Sequence, residues 1–251
     1  MMNFSRPIKA RNVIATLPGT SKKLKNEKIV IGGHLDSWDL ATGAMDNGVG
    51  SFSVMDIARV FKSLNLKTQR PVEFVLFMGE EQGLLGSRYM VKELEKSKAT
   101  KKVKLMINMD MTNNVRGFSA GGNDALKAKM EEIGKIIQSV DGSFANAISN
   151  GVGLHSDHQP FMLSGIPTSS PPGSFPIKAY GCYHANCDRF DLIDKNHINN
   201  NVRFTAMMLY ALANEDKLPV QNRSSKETKD FLIKHNLKNE LVIGKDWRWE
   251  L

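Results

Sequence analysis

The stretch IVIGGHLDSWDLATGAMDNGVG, residues 29–50, constrains the fold most, because it joins the pattern of a buried strand to a cluster of polar residues. Its apolar start, Ile29–Ile31, predicts a buried strand, and the glycines that follow allow the backbone to turn sharply. His34, Asp36 and Asp46 come after that strand. In parallel α/β sheets, ligands bind beyond the carboxyl ends of the strands. The stretch therefore predicts a parallel sheet with a chemical site at one edge.

Apolar strands alternate with amphipathic helices along most of the chain, which predicts an α/β fold. We expect a mostly parallel, twisted central sheet with helices on both faces. The predicted strands are residues 13–17, 28–33, 72–78, 103–109 and 166–169. One predicted helix begins at residue 47, and the others are residues 83–94, 124–140, 197–214 and 226–237. In the first helix, the three-to-four spacing predicts an inward stripe of Val49, Phe52, Met55 (or Val54), Ala58, Phe61 and Leu64.

The chain of 251 residues is long enough for one sizeable α/β domain with a full core, or for two small ones. We expect one main domain at residues 1–220 and a lysine-rich extension at 221–251. Two tryptophans, Trp247 and Trp249, predict that this extension docks on a surface. The net charge is +8, but the lysines are dispersed among acidic residues and no nucleic-acid-binding motif is present. We therefore expect a solvated basic surface and no nucleic-acid partner. No apolar run approaches the roughly 20 residues of a membrane span, and no apolar run follows the N-terminal charges, so neither a membrane span nor a signal peptide is predicted.

Three of the predicted strands end in side chains that commonly bind metal ions. The first leads to His34, the second to Glu80 and Glu81, and the third to Asp110. Because parallel strands place these ends on one edge of the sheet, we expect the side chains to converge. Several carboxylates and a histidine around one point would repel one another unless cations compensate them. A site for two cations roughly 3.5–4 Å apart meets that need.

The spacing within these segments suggests separate roles. His34 and Asp36 share a face of extended chain, which suits a histidine ligand whose tautomer is fixed by a carboxylate. Adjacent residues point in different directions, so one of Glu80 and Glu81 can bind metal while the other takes a proton from water and delivers it to a leaving amine. From the residues alone, His184 is better explained as an ordinary exposed loop residue than as a metal ligand.

The remaining polar residues carry weaker predictions. Cys182 and Cys187 bracket His184 and predict a local disulfide or two free thiols, because the other ligands are hard donors. In GLHSDHQPF, Ser156 or Asp157 is expected to cap a helix.

Six motifs in this order resemble the co-catalytic dizinc aminopeptidase family, which includes secreted bacterial leucine aminopeptidases and plasma glutamate carboxypeptidase. They are GGHLDSWD, GAMDNGVG, FMGEEQGLLGS, NMDMT, SDHQPF and CYHANCD. The similarity runs from about residue 12 to residue 218 and leaves the extension uncovered. Relatives carry more chain before the first matched strand, so the catalytic domain is expected to be short at its N-terminus.

The resemblance assigns the site residue by residue. It implies that His34 and Asp110 bind one zinc, that Glu81 and His184 bind the other, and that Asp46 bridges the two ions. Glu80 matches the general base of the family and Asp36 the carboxylate that orients His34. The implied reaction is attack of a zinc-bridging hydroxide on a peptide carbonyl, with Glu80 carrying the proton to the departing amine.

The same resemblance predicts the cofactors and partners. The cofactors are two zinc ions, with cobalt or manganese as alternatives. The substrates are short peptides cut at the N-terminus, or dipeptides, and a homo-oligomer is compatible with the sequence. Relatives are mostly secreted or periplasmic, which is the location expected by analogy.

One departure and two rival functions accompany the resemblance. The family usually has a second aspartate after the bridging one, where this chain has Asn47, so local charge and metal affinity are expected to differ while activity is retained. The rivals are a glutaminyl-cyclase-like acyltransferase and a non-catalytic relative on the same fold. Because both His34 and Asp110 are kept and every ligand position is filled, the peptidase is favoured.

Overall fold

Seven strands form two sheets in the computed structural model, which describes residues 9–250. The strands are β1 (Val13–Leu17), β2 (Lys28–His34), β3 (Val72–Phe77), β4 (Val103–Asn108), β5 (Gly117–Ser119), β6 (Ala147–Ser149) and β7 (Thr168–Ser169). The main sheet has the order β1-β3-β2-β4-β7, and β5 and β6 form a small separate sheet. In the main sheet only β1 is antiparallel to its neighbour. This arrangement places the carboxyl ends of β2, β3 and β4 side by side.

Between residues 9 and 250, eight helices connect and cover the strands. They are α1 (Val49–Ser63), α2 (Leu85–Lys96), α3 (Asp124–Val140), α4 (His158–Leu163), α5 (Ile177–Tyr180), α6 (Lys195–Asn214), α7 (Ser225–Lys234) and α8 (Lys238–Ile243). Single helical turns lie at Ala44–Gly48, Thr100–Lys102 and Phe190–Leu192.

The unbroken apolar run of β2 is explained by burial on both faces of the sheet. Ile29 and Ile31 point into the larger core, which α1, α3 and α6 also line, whereas Val30 points into the core under α2 and α4. Successive strand residues alternate between faces, so a strand covered on both sides is apolar throughout. The predicted α/β fold with helices on both faces is confirmed.

The inward stripe of α1 agrees only in part with the one predicted: Val49, Phe61 and the alternative residue Val54 are buried as expected. Val54, Ile57 and Phe61 are buried against the sheet, but Phe52 and Met55 are 65% and 49% exposed. Apolar residues occur at helical spacing on more than one side of α1, and periodicity alone does not show which side meets the sheet. The short elements β5, β6, α5 and α8 were not predicted, because each is at most six residues long and has too few residues for a periodic pattern. For α4, only a helix start at Ser156 or Asp157 was predicted.

The C-terminal extension packs on the catalytic part of the chain. Phe231, Leu232 and Leu241 from α7 and α8 cover Met162 and Leu163 of α4, and both tryptophans lie against this cluster. The docking expected for Trp247 and Trp249 is confirmed.

The prediction that no signal peptide is present rests on the N-terminal segment, of which residues 1–8 lie outside the described part of the chain. Within the described part, no helix is both long and apolar enough to cross a membrane.

Phe61 gives a direct test of this core. Its ring lies 5.8 Å from the ring of Phe74 on β3 and 6.2 Å from the ring of Tyr210 on α6, so it joins three elements. We expect Phe61→Ala to lower the free energy of unfolding by about 3–5 kcal/mol, through lost burial and the cavity left behind. Urea unfolding measures this, with Phe52→Ala on the exposed side of the same helix as the control, expected within about 0.5 kcal/mol of wild type. Equal losses for both variants would contradict the observed orientation of α1.

Candidate metal centre

Three loops at the carboxyl edge of the sheet bring the predicted ligands together. His34 is the last residue of β2, Glu80 and Glu81 follow β3, and Asp110 lies just after β4. The turn at Ala44–Gly48 adds Asp46, and the loop after α5 adds His184. The convergence expected from the parallel topology is therefore present in the structure.

Asp46 lies between two pairs of side chains and directs one carboxylate oxygen at each. Its Oδ1 is 3.1 Å from His34 Nε2, which is also 3.4 Å from Asp110 Oδ1. Its Oδ2 is 3.1 Å from His184 Nε2, which is also 3.3 Å from Glu81 Oε2. Each pair thus has a histidine and a carboxylate of its own, and the two pairs share Asp46.

Asp36 is near His34 but contacts it in a way that differs from the prediction. The Nδ1 atom of His34 is 3.0 Å from the backbone carbonyl of Asp36 and 4.0 Å from its carboxylate. The carboxylate instead accepts hydrogen bonds from the backbone N–H groups of Gly79, Glu80 and Glu81, at 2.7, 3.1 and 3.2 Å. Asp36 therefore orients His34 through its backbone and holds the Glu80–Glu81 turn through its side chain.

The turn before the two glutamates depends on a glycine. Gly79 has a φ angle of +80°, in the region that residues with a side chain rarely adopt. This conformation reverses the chain at the end of β3, and α2 begins at Leu85. Glu80 and Glu81 are consequently displayed at the edge of the sheet.

Asn47, the departure from the family pattern, is a buried structural link. Its Nδ2 donates to the backbone carbonyl of Met109 at 2.8 Å, and its Oδ1 accepts from the N–H groups of Gly50 and Met111, each at 3.1 Å. An ionised aspartate could accept both N–H groups but could not donate to Met109. The amide therefore suits this position and ties the Asp46 turn to the end of β4.

Asp188 also positions Asp46, and it was not singled out from the sequence. It is 2% exposed and accepts hydrogen bonds from the N–H groups of Met45 and Asp46, at 2.7 and 3.0 Å. Its backbone carbonyl accepts from Thr42 as well. The only sequence signal was an aspartate one residue after Cys187, which is indistinguishable from a loop carboxylate.

His184 is presented by a short constrained loop. A disulfide joins Cys182 and Cys187, which decides between the two predicted states of these cysteines. The imidazole stacks on Tyr183 with ring centroids 3.7 Å apart, and Trp38 lies 5.0 Å away on another loop. His184 is thus fixed next to Asp46 and Glu81 rather than left as an isolated exposed residue.

The sequence profile of Peptidase family M28 matches residues 12–209 of the chain. The chain belongs to this family. Carboxypeptidase Q of Mus musculus is 29% identical over 208 residues, which are 82% of this chain and 42% of that protein. Two solved structures are each 27% identical to this chain, and each match covers 85% of this chain. The peptidase M28 precursor of Shewanella amazonensis has a TM-score of 0.72, and the match covers 46% of its length. The aminopeptidase of Aneurinibacillus sp. strain AM-1 has a TM-score of 0.66, and the match covers 50% of its length. The M28 chain therefore spans about half the length of the relatives it matches.

The SDHQPF segment of this M28 chain differs from the predicted helix cap. Asp157 occupies the capping position of α4, but neither it nor Ser156 makes a capping hydrogen bond there. The Ser156 hydroxyl donates instead to Asp110 Oδ2 at 2.5 Å, and Asn108 donates to the Ser156 oxygen at 2.7 Å. The Ser156 hydroxyl therefore supports Asp110, a member of what we call the metal-type cluster: His34, Asp46, Glu80, Glu81, Asp110 and His184.

The pKa shifts within the cluster indicate how its negative charge is compensated. Burial opposes a charge on His34, but the carboxylates of Asp110 and Asp46 beside its Nε2 outweigh it and raise the pKa of His34 to about 12. Burial, reinforced by the charge of Asp46, raises the pKa of Glu81 to about 7. Burial would raise the pKa of Asp110 too, but the His34 imidazolium holds it below its usual range. Protons thus compensate the acidic groups where metal ions would otherwise do so.

The positions of the side-chain ligand atoms also fit metal binding. Three groups of side chains each place one ligand atom within 4.8 Å of the others: His34 with Asp46 and Asp110, Asp46 with Glu81 and His184, and His34 with Glu80 and Glu81. Glu81 Oε1 and Asp110 Oδ1 are buried without a hydrogen-bond partner among residues 9–250. Buried carboxylate oxygens normally find a donor, so these two are suited to a cation. Imidazole and carboxylate together favour zinc among the first-row metals.

Metal binding should release protons from this M28 site. At pH 7 a His34 with a pKa of about 12 is protonated, and Glu81 is about half protonated, whereas both must be deprotonated to bind metal. We expect release of more than roughly one proton per protein at pH 7, and an affinity that falls as the pH is lowered. Titration calorimetry with zinc in buffers of different ionisation enthalpy measures the number. The His34→Asn variant should release about one proton fewer than the wild type on binding zinc. If the wild-type protein released no protons on binding zinc, the charge state described here would be wrong.

Four of the predicted ligands and Glu80 line a cleft of about 290 Å³; the four are Asp46, Glu81, Asp110 and His184. Its other walls include His155, His158, Pro171 and Tyr183. This volume is at the lower end of ligand pockets, roughly 300 Å³, and so suits the end of a peptide rather than a folded surface. No lysine or arginine lines the cleft within the described residues.

Proposed function

We propose that the chain is a zinc-dependent exopeptidase that removes residues from the N-terminus of short peptides or splits dipeptides. The position of Asp46 is the observation that carries this proposal, because its two oxygens face two separate histidine–carboxylate pairs. In this proposal His34 and Asp110 hold one zinc ion, Glu81 and His184 hold the other, and Asp46 contacts both. Membership of Peptidase family M28 and the likeness to an aminopeptidase support the same function.

Bound zinc ions would supply Lewis acidity that lowers the pKa of water and polarises a peptide carbonyl. The residues of the chain would orient the reactants and move the proton. Glu80 has its N–H group bound to Asp36 and its carboxylate at the cleft, so its position is set by the turn after β3. It would accept a proton from the attacking water and deliver it to the amine that departs when the peptide bond breaks.

The environment of Glu80 suits this role. Burial, reinforced by the nearby acidic residues Asp110, Asp157 and Glu81, raises the pKa of Glu80 to about 8. A group that both accepts and returns a proton works best with a pKa close to the working pH.

The walls of the cleft favour the amino end of the substrate. With no lysine or arginine among the described lining residues, a peptide carboxylate would find no cationic side chain there. The acidic cluster attracts a free amine instead. This is why we propose an aminopeptidase or dipeptidase rather than a carboxypeptidase.

We also propose a secreted or periplasmic location. The disulfide between Cys182 and Cys187 lies beside the proposed ligand His184, and disulfides persist in oxidising compartments. Alkylation of the native protein in a cell extract and in the periplasmic or extracellular fraction checks this: protected cysteines are expected in the exported fraction only.

Blocked peptides test the function directly. Zinc-loaded and chelated protein would be incubated with a tripeptide, its N-acetylated form and its C-terminal amide, and the products identified by mass spectrometry. We expect stepwise loss of N-terminal residues from the free and amidated peptides, no cleavage of the acetylated one, and no cleavage after chelation. Cleavage of the acetylated peptide alone would show that the carboxylate is recognised. Conversion of an N-terminal glutamine to pyroglutamate would identify a cyclase.

A further inference from the structure

Asp246, beyond the residues matched to family M28, links two loops that flank the metal-type cluster. Its Oδ1 and Oδ2 accept hydrogen bonds from Nη1 and Nη2 of Arg88, at 2.6 and 2.7 Å. Its Oδ2 also accepts from Nε2 of Gln159 at 2.7 Å. Arg88 is on α2 and Gln159 on α4, so one carboxylate from the C-terminal extension joins two helices of the catalytic part.

The Arg88 side of this link leads to the general-base turn. Nε of Arg88 donates to the backbone carbonyl of Gly83 at 2.9 Å. The N–H groups of Gly83 and Leu84 in turn donate to the carbonyl of Glu80, each at 2.8 Å. The guanidinium is therefore shared between Asp246 and the turn that displays Glu80 and Glu81.

The Gln159 side leads to Asp110. Gln159 is 4% exposed, and its Oε1 accepts from the backbone N–H of His155 at 2.8 Å. His155 has a φ angle of +65°, a strained conformation for a residue with a side chain. The next residue, Ser156, donates to Asp110 Oδ2. Gln159 therefore holds the backbone that places the Ser156 hydroxyl on a proposed metal ligand.

The extension holds Asp246 firmly enough to act on both loops. The N–H groups of Asp246 and Trp247 donate to the carbonyl of Leu241, at 2.7 and 3.0 Å, and Leu241 is buried in the cluster under α4. The hydrogen bonds from Arg88 hold the pKa of Asp246 below its usual range, so the carboxylate is ionised at neutral pH. A bidentate ion pair of this kind fixes direction as well as distance.

We propose that Asp246 is a positioning residue for the catalytic centre, through which the docked C-terminal extension sets the placement of Glu80 and Asp110. The proposal rests on the proposed peptidase function for its catalytic consequence, but its structural part does not. Partners that orient metal ligands from outside typically change affinity or activity by about 10–100-fold when removed. A displacement of about 1 Å in a reacting group has a similar cost.

Asp246→Ala is the test, and Asp141→Ala is its matched control. Asp141 pairs with Arg203 at 2.7 Å, and the side chains are 22% and 43% exposed, against 15% and 37% for Asp246 and Arg88. Asp141 directly follows α3 and Arg203 lies on α6, and neither helix carries a residue of the metal-type cluster. Asp246→Asn, which keeps the size and one acceptor oxygen, is the milder second variant if the alanine protein folds poorly.

Two measurements decide the proposal. Amide hydrogen exchange should become at least about fivefold faster at residues 79–85 and 153–157 in the Asp246 variants, but not in Asp141→Ala. The kcat for a cleaved peptide should fall by about 10-fold or more with KM little changed, again only for Asp246. A charge-exchanged double variant, Arg88→Asp with Asp246→Arg, should recover part of the loss.

Unchanged exchange in both loops, or equal effects of the Asp246 and Asp141 variants, would overturn the proposal. If the wild-type protein cleaves no peptide, the proposed function fails, and hydrogen exchange in the two loops still decides whether Asp246 positions them.

Discussion

Glu80→Gln is expected to lower kcat for peptide hydrolysis by about 10²–10⁴-fold while the protein keeps its bound zinc. Glutamine has nearly the size of glutamate and can keep the backbone contacts of the turn, but it cannot accept a proton from water. In the proposed assignment Glu80 is not one of the five ligands, although one of its oxygens lies within 4.8 Å of ligand atoms of His34 and Glu81. Its loss should therefore affect proton transfer far more than metal binding.

Steady-state kinetics with zinc analysis of the same samples separates these effects. KM should change little, because the substrate would be held by the zinc ions and the walls of the cleft. Glu93→Gln on the solvent side of α2 is the matched control and should retain wild-type kcat. A Glu80→Gln protein with full zinc content and more than about a tenth of wild-type kcat would exclude Glu80 as the general base.

The ligand types and the general architecture could be predicted because they depend on strand ends. An apolar run that stops at a polar residue is visible in sequence, and parallel topology brings such ends to one edge. His34, Glu80, Glu81 and Asp110 follow from that logic. His184 does not, because a loop histidine has no strand to place it, and only the resemblance to a family pointed to it.

The supporting contacts could not be predicted because they depend on how loops fold back. Asp188 supports Asp46 from about 140 residues away in the chain, and nothing near either residue encodes the pairing. Neither the spacing nor the residue type of Asp36 predicted its hydrogen bonds to the Glu80–Glu81 turn. Alternation predicts which residues share a face of a strand, but not which hydrogen bonds they make. The amide of Asn47 was visible as a departure, but its reason, a bond to the Met109 carbonyl, required the structure.

Helix faces show a similar limit. The stripe predicted for α1 had a regular period and still included Phe52 and Met55, which face outward. Glycines show why: a Cβ on Gly50 of α1 would overlap the carbonyl of Met109, so the start of this helix approaches β4 too closely for any side chain there. Close backbone approach at Gly50 therefore contributes to which face of α1 meets the sheet, beside the apolar residues of that face.

Removal of the shared ligand is the second large effect. Asp46→Ala should weaken zinc binding by more than about 100-fold, beyond the 10–100-fold typical of residues that only orient ligands. Both histidine–carboxylate pairs lose a donor in this variant, because each directs a histidine at one Asp46 oxygen. Hydrolysis at micromolar zinc should be lost with it.

Zinc counts and thermal unfolding measure this outcome. Zinc at about 100 times its dissociation constant should stabilise the wild-type protein by about 2.7 kcal/mol per site, and the same concentration should leave the melting temperature of Asp46→Ala almost unchanged. Asp56→Ala on the exposed surface of α1 is the control, because the same residue type is removed away from the cleft. If Asp46→Ala kept two zinc ions at wild-type affinity, Asp46 would not be the shared ligand. If the Asp46→Ala protein kept one zinc ion at wild-type affinity, Asp46 would bind only one of the two ions. Substitution of His34 or His184 in that variant would then show which of the two sites still holds the remaining ion.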